Sequence, residues 1–399
     1  MTLEETDRLL SCPYCRVRFF LASRQRPRYY LPPANPNASD LIYAPYWRFK
    51  GDLFSCIPYQ VEVRRLDATT RAVDIDALPR TLGLRPQVMA IHYAPSPAPS
   101  GFLPPTQPLE HVVAPIEQRL RNANQFRQPD RPYHTIFFGE TYSLIYAPFH
   151  IEQDYIYDAI SERRLGVWTP EAITVPPDKT DHDDWQIRFS PAICPDCGWD
   201  LEAGRDALVL ICRHCRRAWQ ASAAGLAEIA PVFVRADKST TRYLPFWRMK
   251  VKVDGLTLTS YADLIRVANL PKATRGIWEN QDLYFWSPAF KVHPQLFLRL
   301  SRNTTLAQPT IDHQAPFVDV PLADVTLPVE EAAESIKTSL ANISLAKRVL
   351  FPELPGIRID LQTYRLVYFP FQTMGHELVN PDLKAAIDRR LLRPTGSAA

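Results

Sequence analysis

Two stretches of this chain carry the same residues at a fixed spacing, and a chain that repeats itself is constrained to build two similar units. Residues 8–51 contain RLLSCPYCRVRFF and LIYAPYWRFKG, while residues 208–251 contain LVLICRHCRRAWQ and TRYLPFWRMKV. Cys12 and Cys212, Cys15 and Cys215, Arg16 and Arg216, Tyr43 and Tyr243, Pro45 and Pro245, Trp47 and Trp247 each differ by 200. A second block recurs at an offset of 222, Thr141-Tyr142-x-Leu144-Ile145-Tyr146-x-Pro148-Phe149 against Thr363-Tyr364-x-Leu366-Val367-Tyr368-x-Pro370-Phe371. The growth of the offset (222 − 200 = 22) places a net insertion between Lys250 and Thr363. The expected fold is α+β, an internal duplication of β-rich domains about a pseudo-twofold axis.

The length of 399 residues matches two ordinary domains, and 46% hydrophobic content supports a core in each. The expected boundaries are a first repeat over 1–170, a linker over 171–184, a Cys-rich module over 185–225 and a second repeat over 226–399. The blocks LIYAPYWRF, YSLIYAPFHI, RYLPFWRMKVKV and YRLVYFPFQ are rich in the aromatic and β-branched residues that suit strands. Each block carries a proline, so a bulge or a sheet edge is expected there. DYIYDAISERRLG reads as a hairpin. Residues 328–350 read as an inserted helix with Glu330, Glu331 and Glu334 early, Ile336, Leu340 and Ile343 on one face, and Lys347 and Arg348 at the end. Shorter helices are expected over 109–124, over 260–269 and in DLKAAIDRRLL behind Asn380-Pro381.

Six of the seven cysteines lie in C-x-x-C pairs. The chain opens without a basic-then-apolar leader, so these pairs imply metal chemistry in a reducing, cytoplasmic setting. No apolar run is long enough to span a membrane. Cys194-Pro-Asp-Cys197-Gly is followed after 14 residues by Cys212-Arg-His-Cys215. Two such knuckles aim four thiolates at one ion in a ribbon, with no open position, which implies a structural metal. Zinc is the expected ion; iron is the alternative, since C-P-x-C-G also resembles a rubredoxin knuckle. Cys12 and Cys15 align with the second knuckle alone. Partners for a first knuckle would fall at −6 and −3 (194 − 200 and 197 − 200), so the N-terminus reads as a degenerate half ribbon and a possible second metal site.

The pairing of the C-x-x-C…C-x-x-C ribbon with downstream Y-x-P-[FY]-W blocks resembles a loosely defined group of bacterial zinc-ribbon proteins. The resemblance covers the ribbon and the four aromatic blocks and implies metal binding, with no activity attached. Arg16, Arg18, Arg213, Arg216 and Arg217 gather near the knuckles as a candidate interaction surface, together with Arg24, Arg26 and Arg28. Nearby acids, Asp196, Asp200, Glu202 and Asp206, favour a solvated or protein-facing surface over nucleic acid. Trp47 and Trp247 read as core residues of equal weight, with stacking platforms as the alternative. Arg48 and Lys50 are expected to snorkel at the surface. No nucleophile elbow, phosphate loop, dinucleotide fingerprint or H-E-x-x-H is present, and His134, His376 and the run 181–184 lack partners at motif spacing. The resulting expectation is a non-catalytic, zinc-stabilised scaffold for other proteins, using the Pro-rich segments 27–46 and 94–108. A nucleic-acid-binding ribbon module and an accessory subunit of a redox complex with iron are the alternatives.

Overall fold

Strand-forming aromatic blocks that pair with one another dominate the architecture. The computed structural model describes residues 7–12, 14–21, 28–36, 38, 40–94, 101–107, 132–168, 189–222, 224–236, 240–273, 275–311, 314–315 and 317–392. The linker 171–184, the helix expected over 109–124, Arg24 and Arg26 lie outside the described residues.

The chain enters through a hairpin of β1 (Leu9–Ser11) and β2 (Arg18–Leu21). A first lobe follows with β3 (Arg28–Tyr30), β4 (Ile42–Ile57), β5 (Gln60–Arg71), α1 (Arg85–Val88), β6 (His92–Tyr93), β7 (His134–Glu152), β8 (Tyr155–Asp158) and β9 (Arg164–Val167). Next come β10 (Phe189–Pro191), β11 (Val209–Cys212), β12 (Arg217–Ser222) and β13 (Gly225–Ile229). The second lobe holds β14 (Val232–Val234), β15 (Arg242–Asp254), α2 (Tyr261–Val267), α3 (Gly276–Glu279), β16 (Phe285–Pro288), α4 (Pro294–Ala307) and β17 (Gln314–Ala315). It ends with α5 (Val329–Glu334), α6 (Ile336–Ile343), α7 (Lys347–Glu353), β18 (Arg358–Met374), β19 (Glu377–Asn380) and β20 (Ala385–Asp388). None of the helices among the described residues is long and apolar enough to cross a membrane.

The two lobes carry similar sheets. One runs β5-β4-β7-β3-β6 and the other β16-β15-β18-β14-β17, and a short meander extends each from β7 or β18. Trp47 pairs with Leu144 and Trp247 with Leu366, while β3 and β14 add in parallel to β7 and β18. Even the irregularity matches: Lys50 pairs with Thr141 and Gly51 with Gly139, as Lys250 pairs with Thr363 and Val251 with Leu361. One extra residue, Glu140 or Gln362, is therefore bulged at the same place in both.

The prolines of the four aromatic blocks, Pro45, Pro148, Pro245 and Pro370, lie in central strands and away from the register shifts. The carbonyls of Pro45, Pro148 and Pro245 accept from the N–H groups of Ala72, Ala159 and Ala289, and that of Pro370 from the Asn380 side chain. In a strand the nitrogen of a residue faces the same side as its carbonyl. Each proline therefore turns its missing donor away from the central β4–β7 or β15–β18 ladder, towards a gap where one flanking strand stops. Arg48 also departs from expectation. It is buried, and its Nε and Nη2 donate to the two carboxylate oxygens of Asp67 at 2.8 Å each. Its counterpart Arg248 lies 3.6 Å from the centroid of the Tyr284 ring.

Helices enrich the second lobe. Ser260 and Asp263 form a reciprocal capping box that starts α2, within the expected 260–269. The continuous helix expected over 328–350 is instead α5, α6 and α7, interrupted at Ser335 and at the extended Ser344. Ile336, Leu340 and Ile343 do share the buried face of α6, but Lys347 and Arg348 open α7. DLKAAIDRRLL is not an α-helix either; only Arg389–Leu391 form a short 3-10 turn. Asn380 caps only a turn, accepting from the Leu383 N–H, and Ala385–Asp388 then pair with β19 as β20. Alanine is the strongest helix former, but intrinsic propensity is a small term, and ladder pairing overrides it.

The ends of β4, β5 and β7 form an arm that reaches across to the second lobe. Phe54 and Phe138 pack on Phe297 of α4 with ring centroids 6.4 and 4.6 Å apart, and Cys56 is buried in the same core. The Pro-rich segments are not free extended chain where described. Phe102 stacks on Tyr43 at 4.4 Å, and the amides of Thr106 and Gln107 both reach the Ala72 carbonyl.

Candidate metal centre

A knuckle is a tight turn that points backbone amides at sulfur, and the local sequence builds one on each side of this cluster. Gly198 adopts φ +73°, the left-handed conformation that glycine tolerates best, and its N–H closes on the Cys194 carbonyl at 2.9 Å. On the opposite side β11 and β12 form a hairpin that holds Cys212 and Cys215, with the Cys215 N–H 3.5 Å from the Cys212 sulfur. The sulfurs of Cys194, Cys197, Cys212 and Cys215 all lie within 4.8 Å of one another. The pairs Cys194–Cys215 and Cys197–Cys212 are 3.5 and 3.4 Å apart. A tetrahedral ion with ~2.3 Å bonds to sulfur has S–S edges of about 3.8 Å, so the four thiols fit a metal ion.

The electrostatics agree with that fit. Burial works to raise the Cys194 thiol, but hydrogen bonds from the Cys197 and Asp196 amides and from the Cys215 and Cys197 thiols together bring the group down to about 7. Burial and the neighbouring thiols push Cys215 up to about 12. Four crowded sulfurs cannot all shed protons unless a cation replaces them.

The shell around the sulfurs comes from three parts of the chain. Leu9 and Phe20 of the N-terminal hairpin, Ala192 and Leu201 of the first knuckle, and Leu210 and Trp219 of the second are all buried together. β10 joins the hairpin as a third strand, Pro191 opposite Phe19 and Phe189 opposite Leu21. The four-cysteine segment is anchored to the second lobe as well: the Gly204 N–H meets Asp324, and the Leu208 N–H meets the Val325 carbonyl. Arg205 pairs with Asp7. Sequence reasoning missed Asp7, Leu9, Phe20 and Asp324, because nothing in their local pattern marks a contact between residues so far apart in the chain.

The other candidates are placed as follows. Cys12 and Cys15 are outside the four-sulfur cluster; Cys12 is half-buried and Cys15 exposed. Cys56 is buried in the shared core opposite His134, and burial raises its thiol to about 12. Arg18 donates to the Leu201 carbonyl. Arg213 pairs with Glu202, and Arg217 with Asp196 and Glu228. Arg16 and Arg216 are exposed. A feature not anticipated is Trp199, 58% exposed, stacked on His214 with ring centroids 5.0 Å apart.

Comparison of the chain with protein-family models, curated proteins and solved structures finds no match in any of the three.

Proposed function

We propose that the chain is an internally duplicated, zinc-stabilised scaffold without catalytic activity, which holds other proteins on a surface shared by its two lobes. The observation that carries this reading is the cluster of four cysteine sulfurs at the junction of the N-terminal hairpin, the segment 189–222 and the second lobe. Four sulfurs leave an ion no open position, so its contribution is folding free energy and rigidity. Matching sheet order, matching bulges and the offsets of 200 and 222 support the duplication.

The partner surface follows from exposure. Tyr59 and Val349 are 60% and 72% exposed, Arg348 lies over the Tyr59 ring at 4.9 Å, and Tyr133 packs against Phe351. First-lobe arm and second-lobe helix thus combine in one apolar patch with a cationic edge, the composition of a protein-binding site. The test compares proteins that co-purify with the native chain and with a Tyr59→Ser, Val349→Asp double variant. Loss of partners at unchanged zinc content and melting temperature supports the reading; an unchanged partner set overturns it.

The Trp199–His214 stack at the ribbon tip favours a second reading, base stacking by a single strand. The carboxylates paired with Arg213 and Arg217 weigh against it, since they oppose phosphate. A salt-dependent shift with single-stranded nucleic acid that Trp199→Ala abolishes would favour the second reading. A red ferric-thiolate absorption would replace zinc with iron and favour a redox assembly.

A further inference from the structure

The N-terminal hairpin copies the metal-binding hairpin of the ribbon in detail. Leu9 pairs with Phe20 and Ser11 with Arg18, as Val209 pairs with Gln220 and Ile211 with Ala218, every position displaced by 200. Arg16 and Arg216, the residues after the second cysteine of each knuckle, both adopt φ 60°. The Cys12 N–H donates to the Val17 carbonyl at 2.9 Å and the Arg16 N–H to the Cys12 carbonyl at 3.0 Å, which closes the turn. Such a turn is already organised to present two sulfurs to one ion.

What differs is the other half of the site. In the ribbon, the outer edge of β11 is covered by the chain leaving the first knuckle, where Ile211 and Glu202 exchange both backbone bonds at 2.8 and 2.9 Å. On β1 that edge is occupied at Leu9, whose N–H meets the Arg205 carbonyl at 2.8 Å. On that outer edge, no backbone partner for Ser11, the counterpart of Ile211, is present among the described residues. The tip stands in solvent, with Tyr14 95% exposed and Cys15 exposed beside it.

We propose that Cys12 and Cys15 are one half of a four-thiolate zinc site that is completed by the same two cysteines of a second copy of this chain. A twofold axis through the ion supplies the four ligands that zinc requires, from two identical surfaces. The four thiolates leave a net charge of about −2 on the bound site, and the exposed Arg16 of each copy lies beside it to offset that charge. The site is separate from the Cys194 cluster and does not depend on that cluster holding zinc.

The test is native mass spectrometry of the full chain with zinc in reducing buffer, beside a Cys12→Ser, Cys15→Ser double variant. The expected result is a zinc-dependent dimer carrying roughly three ions per pair of chains, and a monomeric variant with about one ion and an unchanged melting temperature. A native chain that stays monomeric, with either about one or about two ions, overturns the proposal. So does a dimer that persists in the double variant. A dimer carrying roughly one bridging ion per pair would uphold it while removing zinc from the Cys194 cluster.

Discussion

The indole nitrogens of Trp47 and Trp247 each donate to a main-chain carbonyl at 2.9 Å, Gln107 in the first lobe and Leu327 in the second. The two rings hold the same place in similar sheets but differ in surroundings. Trp247 is 1% exposed beneath the second-lobe helices, whereas Trp47 is half-buried at the margin of a smaller cluster.

Truncation should therefore act unequally, against the equal weights read from the sequence. Trp247→Ala is expected to cost ~4 kcal/mol, and Trp47→Ala about half of that, because its site already borders water. Chemical denaturation of both variants measures the difference. Equal losses would show that the second-lobe helices add nothing to packing at this position.

Metal removal should unfold the ribbon before the lobes. Chelation, or Cys212→Ser, is expected to abolish metal binding and to expose Leu9, Phe20, Leu210 and Trp219. Limited proteolysis should then cut within 189–222 while both large sheets persist, and amide exchange would register the same boundary. Uniform protection after metal loss would contradict a structural role for the ion.

Asp67 should matter more than a surface carboxylate does. Removing it leaves the buried Arg48 guanidinium without its bidentate partner, so Asp67→Ala is expected to cost ~3 kcal/mol. Arg48→Met, which removes the charge and keeps the stem, should cost less. A cost from Asp67→Ala below that of Arg48→Met would place the strain elsewhere.

Two half-buried groups, each with one buried polar atom, bound the pH range of greatest stability from opposite sides. Burial raises Glu331 from 4.5 to about 7, against the pull of Lys291 and Arg8. The folded chain therefore holds a proton that the unfolded chain has released, and stability falls as pH rises through that window. Burial lowers His134 from 6.5 to about 4, with Lys337 acting in the same direction. There the unfolded chain takes the proton first, and stability falls as pH drops through that window. Melting temperature against pH should show Glu331→Gln flattening the alkaline side and His134→Gln the acid side; unchanged slopes would refute both assignments.

The legible parts of this chain were those in which a local pattern settles the outcome. The Cys194, Cys197, Cys212 and Cys215 spacing identified the sulfur cluster, since knuckle turns are local, and the aromatic blocks identified β4, β7, β15 and β18. The Pro positions were misread because a proline reports only that a donor is missing. Which neighbouring strand stops beside Pro45 or Pro370 depends on residues 27 or 10 positions away (72 − 45 and 380 − 370). The helix breaks at Ser335 and Ser344 and the strand at Ala385–Asp388 are tertiary decisions that override a continuous helical pattern. The arm that carries Phe54 and Phe138 across to Phe297 was not legible, because the alternation of Val61 and Val63 with Glu62 and Arg64 marks a half-buried strand without saying which distant element covers it.

The strand Phe189–Pro191 lies against Arg18–Leu21, and the Arg205 carbonyl receives the amides of Arg8 and Leu9. The hairpin of β1 and β2 therefore lacks these partners until residues 189–205 have left the ribosome. During synthesis at ~5–20 residues per second, the Cys12–Cys15 turn waits on the order of ten seconds or more for its neighbours. A nascent chain in that interval carries the Cys12 and Cys15 thiols open to ions and oxidants before the strand and the carbonyl that hold their hairpin have been made.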